Sequence, residues 1–166
     1  MSKNNLLMSI QNLVFVLLIF SIVSCGKKTS VLSVKENEAI IDTIRQTLTN
    51  YYEDIKKDGL TAEFKYLDHS PEFYWAPPGF NAPITYDQVE KGVKDNAAKF
   101  KSVDNTWLIL RIDPLNSELA SYTGTIHSVA SDTTGQVGDY KLIETGLLIK
   151  RKDGWKLYRG QTSVLP

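Results

Sequence analysis

Cysteine is nearly absent from this chain of 166 residues: Cys25 stands alone, so no disulfide can form within it. Histidine is almost as scarce. His69 and His127 are far apart and match no familiar zinc spacing, so neither a metal nor a cofactor is expected. An excess of one charge is missing too. Lys and Arg total 19, as do Asp and Glu, which argues against a nucleic-acid binder and its basic surface. Nor does any apolar run reach the ~20 residues needed to span a bilayer. What is present suffices for a core: 42% of residues are hydrophobic and 10% aromatic. The length fits one domain, or one domain with a targeting segment.

Lys3 is the only charged side chain before Lys27, and an apolar stretch runs from Leu13 to Phe20, extended by Ile22 and Val23. That is the length of a signal-peptide core. It stops at Ile22-Val23-Ser24-Cys25, followed by Gly26. The arrangement resembles the bacterial lipoprotein signal, in which a branched aliphatic, a spacer and a small residue precede the cysteine that becomes the mature N-terminus. The resemblance implies a signal peptide over residues 1–24 and lipidation of Cys25, with a flexible tether through residue 35. Two or more acyl chains, at ~0.8 kcal/mol per buried methylene, hold a protein on a membrane where one is marginal. The implied partner is therefore a lipid membrane. The implied place is the bacterial cell envelope, facing the periplasm or on the outer membrane. The chain after residue 24 holds 18 basic and 19 acidic residues, with no single-sign tail.

From Glu36 to Lys57, Ile40, Ile41, Ile44, Leu48, Tyr51, Tyr52 and Ile55 recur at spacings of three and four, which predicts one long amphipathic helix ended by Asp58-Gly59. A shorter helix is predicted over Leu60–Leu67 and a strand over Glu72–Trp75, closed by Ala76-Pro77-Pro78-Gly79. A third helix is predicted over Tyr86–Phe100, with Val89, Val93, Ala97 and Phe100 inward and a cap near Thr85. Residues 107–112, 119–129, 140–151 and 155–163 read as strands joined by short polar turns, Asp153-Gly154 being the strongest hairpin signal. The result is an α+β domain over residues 36–166, in which a curved antiparallel sheet wraps around the long first helix. Curling leaves one end of such a cone wider, and that end is a pocket by geometry.

The element order, the Ala120-x-Tyr122-x-Gly124 strand and the Lys152-Asp153-Gly154-Trp155-Lys156-Leu157 turn resemble the nuclear transport factor 2-like superfamily, with the SnoaL-like and ketosteroid-isomerase-like branches nearest. The resemblance spans residues 36–163. It implies a cone with a hydrophobic cavity, often dimeric through the outer sheet face. Members include isomerases, dehydratases, cyclases, assembly domains and non-catalytic binders, so fold alone says little about activity.

Alternation on the last strand puts Trp155, Leu157, Arg159, Gln161 and Ser163 on one face, which points Arg159 and Gln161 toward the cavity mouth. Arg159 there offers a forked donor to an anion, or else pairs with a structural acid such as Glu144 or lies in solvent beyond the core. Ile143, Thr145, Leu147 and Ile149 look core-facing, which sends Glu144 to the outer face, and His127 is expected outside as well. Tyr52, Trp75 and Tyr122 are candidates to line an aromatic cavity, though aromatics at such positions are most often core. Tyr74, Trp75, Phe80 and Tyr86 surround the Pro-rich turn as a lip. Asp68-His69 is the best acid/base pair on offer, and equally plain turn chemistry. Ketosteroid isomerases pair a first-helix tyrosine with a carboxylate base and a protonated carboxylic acid on a later strand. Tyr51 or Tyr52 and Asp68 approximate the first two, but no Asp lies within the later strands for the third.

The leading expectation is a membrane-anchored domain binding a small hydrophobic or anionic ligand without catalysis, through Tyr52, Trp75, Tyr122, Arg159 and Gln161. The alternatives are an isomerase, dehydratase or hydrolase using Asp68, His69 and Tyr52, and a dimeric interaction module.

Overall fold

The computed structural model describes residues 31–166. The expected signal segment, Cys25 and most of the tether lie outside the described residues.

The first helix, α1 (Val34–Asp58), starts two residues before the predicted boundary because Ser33 and Glu36 form a capping box. The Ser33 hydroxyl accepts from the Glu36 amide, and the Glu36 carboxylate accepts from the Ser33 amide. Its predicted stripe is the buried one: Ile44, Leu48, Tyr51, Tyr52 and Ile55 face the core. A 3-10 helix (Leu60–Lys65) follows, tighter and shorter than the predicted second helix. Then come β1 (Tyr74–Ala76) and α2 (Tyr86–Ala97), the latter capped by Thr85 and Gln88. Four long strands complete the chain: β2 (Phe100–Pro114), β3 (Leu119–Asp132), β4 (Val137–Arg151) and β5 (Gly154–Val164). The third helix thus stops short of Phe100, which opens β2 and stands exposed rather than inward.

The sheet order is β1-β5-β4-β3-β2. The four long strands form the predicted antiparallel meander, while β1 adds to β5 in parallel, Trp75 opposite Gly160. That pairing continues a contact begun upstream, where the Leu157 amide donates to the Tyr66 carbonyl and the Asp68 amide donates to the Leu157 carbonyl. The sheet curls over α1, which packs chiefly on β2; the Trp107 indole N–H donates to the Leu48 carbonyl at 3.2 Å.

Three register shifts interrupt the sheet: one at Lys101 near the start of β2, and two bulges farther along that change which side chains face inward. One gives β2 an extra residue at Leu108; the other gives β5 an extra residue at Tyr158, since Leu148 pairs with Leu157 but Leu147 with Arg159. A bulge re-aims every side chain beyond it. Trp155 and Leu157 are therefore buried as predicted, but beyond Tyr158 the inward positions are Gly160 and Thr162. Arg159 and Gln161 lie on the opposite face, which corrects the prediction for both. Strand β4 is also turned over relative to its prediction: Leu142, Glu144, Gly146 and Leu148 face inward, while Ile143 and Thr145 face out.

Candidate functional site

Between the end of α1, α2 and the inner face of β4 and β5 lies a cavity of about 460 Å³. Tyr51 and Tyr52 enter it from α1, Glu63 from the 3-10 helix, and Trp75 from β1. Helix α2 covers one side with Val89, Gly92, Val93 and Asn96, the three-and-four spacing of one helical face. Asn105 of β2, Leu142 and Glu144 of β4, and Leu157 and Thr162 of β5 complete the wall, and Phe80 stands at the edge, more than half exposed.

Trp75 packs its six-membered ring against a seat without side chains. A Cβ on Gly160 would come within 2.5 Å of the indole Cη2 atom, and one on Gly146 within 3.2 Å. The two glycines pair across β4 and β5, so the seat exists only where both strands lack side chains. The indole N–H then donates to Thr162 Oγ1 at 3.0 Å. Thr162 in turn donates to Glu144 Oε2 at 2.9 Å.

Glu144 is the centre of the site. It is only 5% exposed, and it accepts from Tyr122 at 2.7 Å and from Tyr52 at 3.3 Å, besides Thr162. Burial raises its carboxyl above the usual range, and the three hydroxyl donors partly offset that. Burial likewise pushes the phenols of Tyr51, Tyr52 and Tyr122 well up, so all three remain donors. The outer-face expectation for Glu144 is thus corrected. Tyr122, rightly expected inward, fixes the register: it pairs with Gly146, which brings Glu144 opposite Gly124 on the same inner face.

Glu63 is the second carboxyl and was not a sequence candidate. In a 3-10 helix, side chains three apart align, so Glu63 continues the line of Leu60 toward buried Tyr66. Burial raises it to about 7, opposed by the Tyr51 hydroxyl and aided by the negative charge of Glu144. The Tyr51 bond is long, 3.4 Å, so this carboxyl is far less occupied than Glu144.

Tyr52 and Trp75 line the cavity as expected. Tyr122 stands behind Glu144 rather than in the wall. Arg159 is outside: it donates to the Glu72 carbonyl at 3.0 Å and lies over the Tyr158 and Tyr74 rings. Gln161 is exposed. Neither lines the cavity.

Asp68 and His69 diverge. Asp68 is buried and accepts two bonds from Arg151, at 2.6 and 2.8 Å, plus the Ser70 hydroxyl. Burial pushes its carboxyl up, but these donors outweigh burial and hold it below the ordinary value. His69, with its side chain 74% exposed, stacks on Tyr86 at 4.1 Å. Both border a second, more open polar hollow beside Arg151 and Lys156, not the aromatic cavity. His127 is on the outer face as predicted, bonded to Asp139 at 2.8 Å.

No family model matches the sequence, and no curated protein matches it. Solved structures do match. A protein from Novosphingobium aromaticivorans proposed to be a scytalone dehydratase superposes with a TM-score of 0.71 at 12% identity, covering 81% of this chain and 89% of its own. A nuclear transport factor 2-like superfamily protein from Salmonella enterica gives 0.67 at 16% identity, covering 78% and 93%. A hexachlorocyclohexane dehydrochlorinase, LinA type 3, from Novosphingobium barchaimii gives 0.64 at 10% identity, covering 81% and 92%. The fold shared with these structures is the nuclear transport factor 2-like cone.

Proposed function

We propose that the domain receives a small, partly apolar molecule in the cavity between α1, α2 and the sheet, and that Cys25 carries lipid that holds it at a bacterial membrane. The cavity carries the first half of this reading. It is within the size range of small-molecule sites, walled by aromatic and aliphatic side chains, with a few convergent polar groups. The signal-like segment before Cys25 supports the second half. Filling the cavity tests the first. A Cβ at Gly92 meets nothing within 4 Å, so Gly92→Phe reaches into the space from α2. Native mass spectrometry of the chain purified from its membrane is expected to show a retained or added small molecule in the wild type and none in this variant. Equal occupancy in both would exclude the cavity. Membrane anchoring fails as a reading if Cys25→Ser leaves the protein in the membrane pellet after a carbonate wash.

A second reading has its own observation: Glu63, at about 7, can hold or release a proton at a cavity wall near neutral pH. Glu144 also supplies a raised carboxyl on a later strand. Two of the superposed structures bear names of elimination enzymes. In this reading the chain is an isomerase or lyase in which Glu63 moves the proton and Tyr52 and Glu144 position the substrate. Asp68 no longer suits the base role, since Arg151 occupies both its oxygens. Turnover of a ketone or halide substrate by the wild type, lost in Glu63→Gln with binding retained, is the expected result. Turnover that survives Glu63→Gln excludes Glu63 as the proton carrier.

A further inference from the structure

We propose that the cavity prefers an organic cation: a compact aromatic or aliphatic body carrying an ammonium group. The inference rests on the small-molecule reading of this cavity and names the charge of its ligand.

Two observations of the wall point the same way. Glu63 and Glu144 both face the cavity, while no Lys, Arg or His side chain is among the described residues lining it. Neither carboxylate takes part in an ion pair among the described residues. Glu144 is answered by three neutral hydroxyls, and Glu63 only by the long bond from Tyr51. A buried carboxylate without a counter-charge is costly, and a ligand cation would relieve that cost.

The second observation is independent of charge. The Oδ1 atom of Asn105, in the same wall, is buried and has no hydrogen-bond donor among the described residues. Buried acceptors are rarely left open. Asn105 and the under-occupied Glu63 are both acceptors, so the complementary ligand is a donor. The remaining walls fit the body of such a ligand. Trp75, Tyr52, Phe73 and Phe80 present aromatic rings, whose electron-rich faces attract ammonium groups. An anion, by contrast, would meet two carboxyls and find Arg159 on the far side of the sheet.

The cations of the neighbouring surface have polar partners of their own, one of them the wall residue Asn96. Lys94 pairs with Glu90 at 2.9 Å, and Lys99 donates to Asn96 at 2.7 Å. The titratable groups acting on Glu63 are Tyr51 from α1 and Glu144 from β4, and Glu63 itself acts on Tyr86 of α2. None of these carries a positive charge.

Three probes of similar size test the proposal on the full chain in a non-ionic detergent: benzylammonium, which carries both the charge and the N–H donors, its neutral isostere ethylbenzene, and benzoate. Signal that survives in Gly92→Phe is subtracted as binding outside the cavity. The cation is expected to bind at least about tenfold more tightly than the neutral isostere, with benzoate weakest. Glu63→Gln should erase most of that preference while leaving the neutral probe unchanged, which also shows that the variant is folded. At pH 7, Glu63 is partly protonated, so a bound cation expels protons. The binding enthalpy of the cation should then differ between phosphate and Tris buffers, and that of ethylbenzene should not. Equal binding of cation and neutral isostere would overturn the charge preference and leave the cavity reading standing. Failure of all three probes would overturn the cavity reading and the proposal together.

Discussion

The phenolic oxygen of Tyr122 lies 2.7 Å from Oε1 of Glu144, joining the most buried aromatic of the sheet to the carboxyl at the centre of the cavity wall. Core and site are therefore one hydrogen-bonded unit. The chain of donors runs from Trp75 through Thr162 to Glu144, with Tyr52 and Tyr122 completing the set.

Removing the Tyr122 hydroxyl leaves the buried Glu144 carboxyl with one donor fewer. Tyr122→Phe is expected to lower stability by about 1–3 kcal/mol, the cost of an unsatisfied buried acceptor. Urea unfolding at pH 7 reads it directly. A loss below about 0.5 kcal/mol would mean that the bond contributes little.

Glu63 should tilt stability with pH. Its folded value of about 7 exceeds the ordinary 4.5, so between those values the folded state keeps a proton that the unfolded chain has released. Stability from this group is full below 4.5 and declines as pH rises through about 7. Glu63→Gln cannot titrate and lacks that decline. Unfolding curves of wild type and variant between pH 5 and 8 should therefore diverge, with the variant gaining relative to the wild type at the upper end. Parallel curves would place Glu63 in water rather than in the cavity wall.

Gly160→Ala pushes a methyl into Trp75 and toward the Thr145 carbonyl, 2.6 Å away. Overpacking of this kind costs about 1–3 kcal/mol. The indole must shift, breaking its bond to Thr162 and changing the cavity wall. Trp fluorescence and thermal unfolding should both change. An alanine variant with the stability and emission of the wild type would show that the seat is not tight.

Asp68 should behave as a structural anion. Asp68→Asn weakens the paired bonds from Arg151 and is expected to destabilise the fold by about 1.5–3 kcal/mol at neutral pH. Because the folded carboxyl titrates below 3.8, that stabilisation is present above this value and fades as pH falls through the folded one. The gap between wild type and variant should accordingly close in acid. Unchanged stability at pH 7 would release Asp68 for a chemical role.

The element order and the long helical stripe were legible because each rests on local periodicity: Ile44, Leu48, Tyr51, Tyr52 and Ile55 can share only one helical face. The cavity wall was legible in part. Tyr52 and Trp75 are where the pattern put them. Arg159, Gln161 and Glu144 are not, and the causes differ. On β5, an extra residue at Tyr158 reverses the alternation that Trp155 and Leu157 begin. On β4, aliphatic residues occupy both faces, so hydrophobicity alone could not choose between them; the register set by Tyr122 opposite Gly146 does. Glu63 left no mark in the sequence beyond the three-residue spacing of Leu60, Glu63 and Tyr66.

Composition, helix periodicity and turn chemistry alone determined an α+β chain with one long helix and a late meander, because those signals act over a few residues. Which carboxyls became buried, and whether Arg159 met a ligand or the outer surface, depended on strand register and a single bulge. Both are set by contacts between residues far apart in the chain. Only the folded sheet therefore decides that Glu63 and Glu144 share an aromatic cavity without a counter-charge among its lining residues.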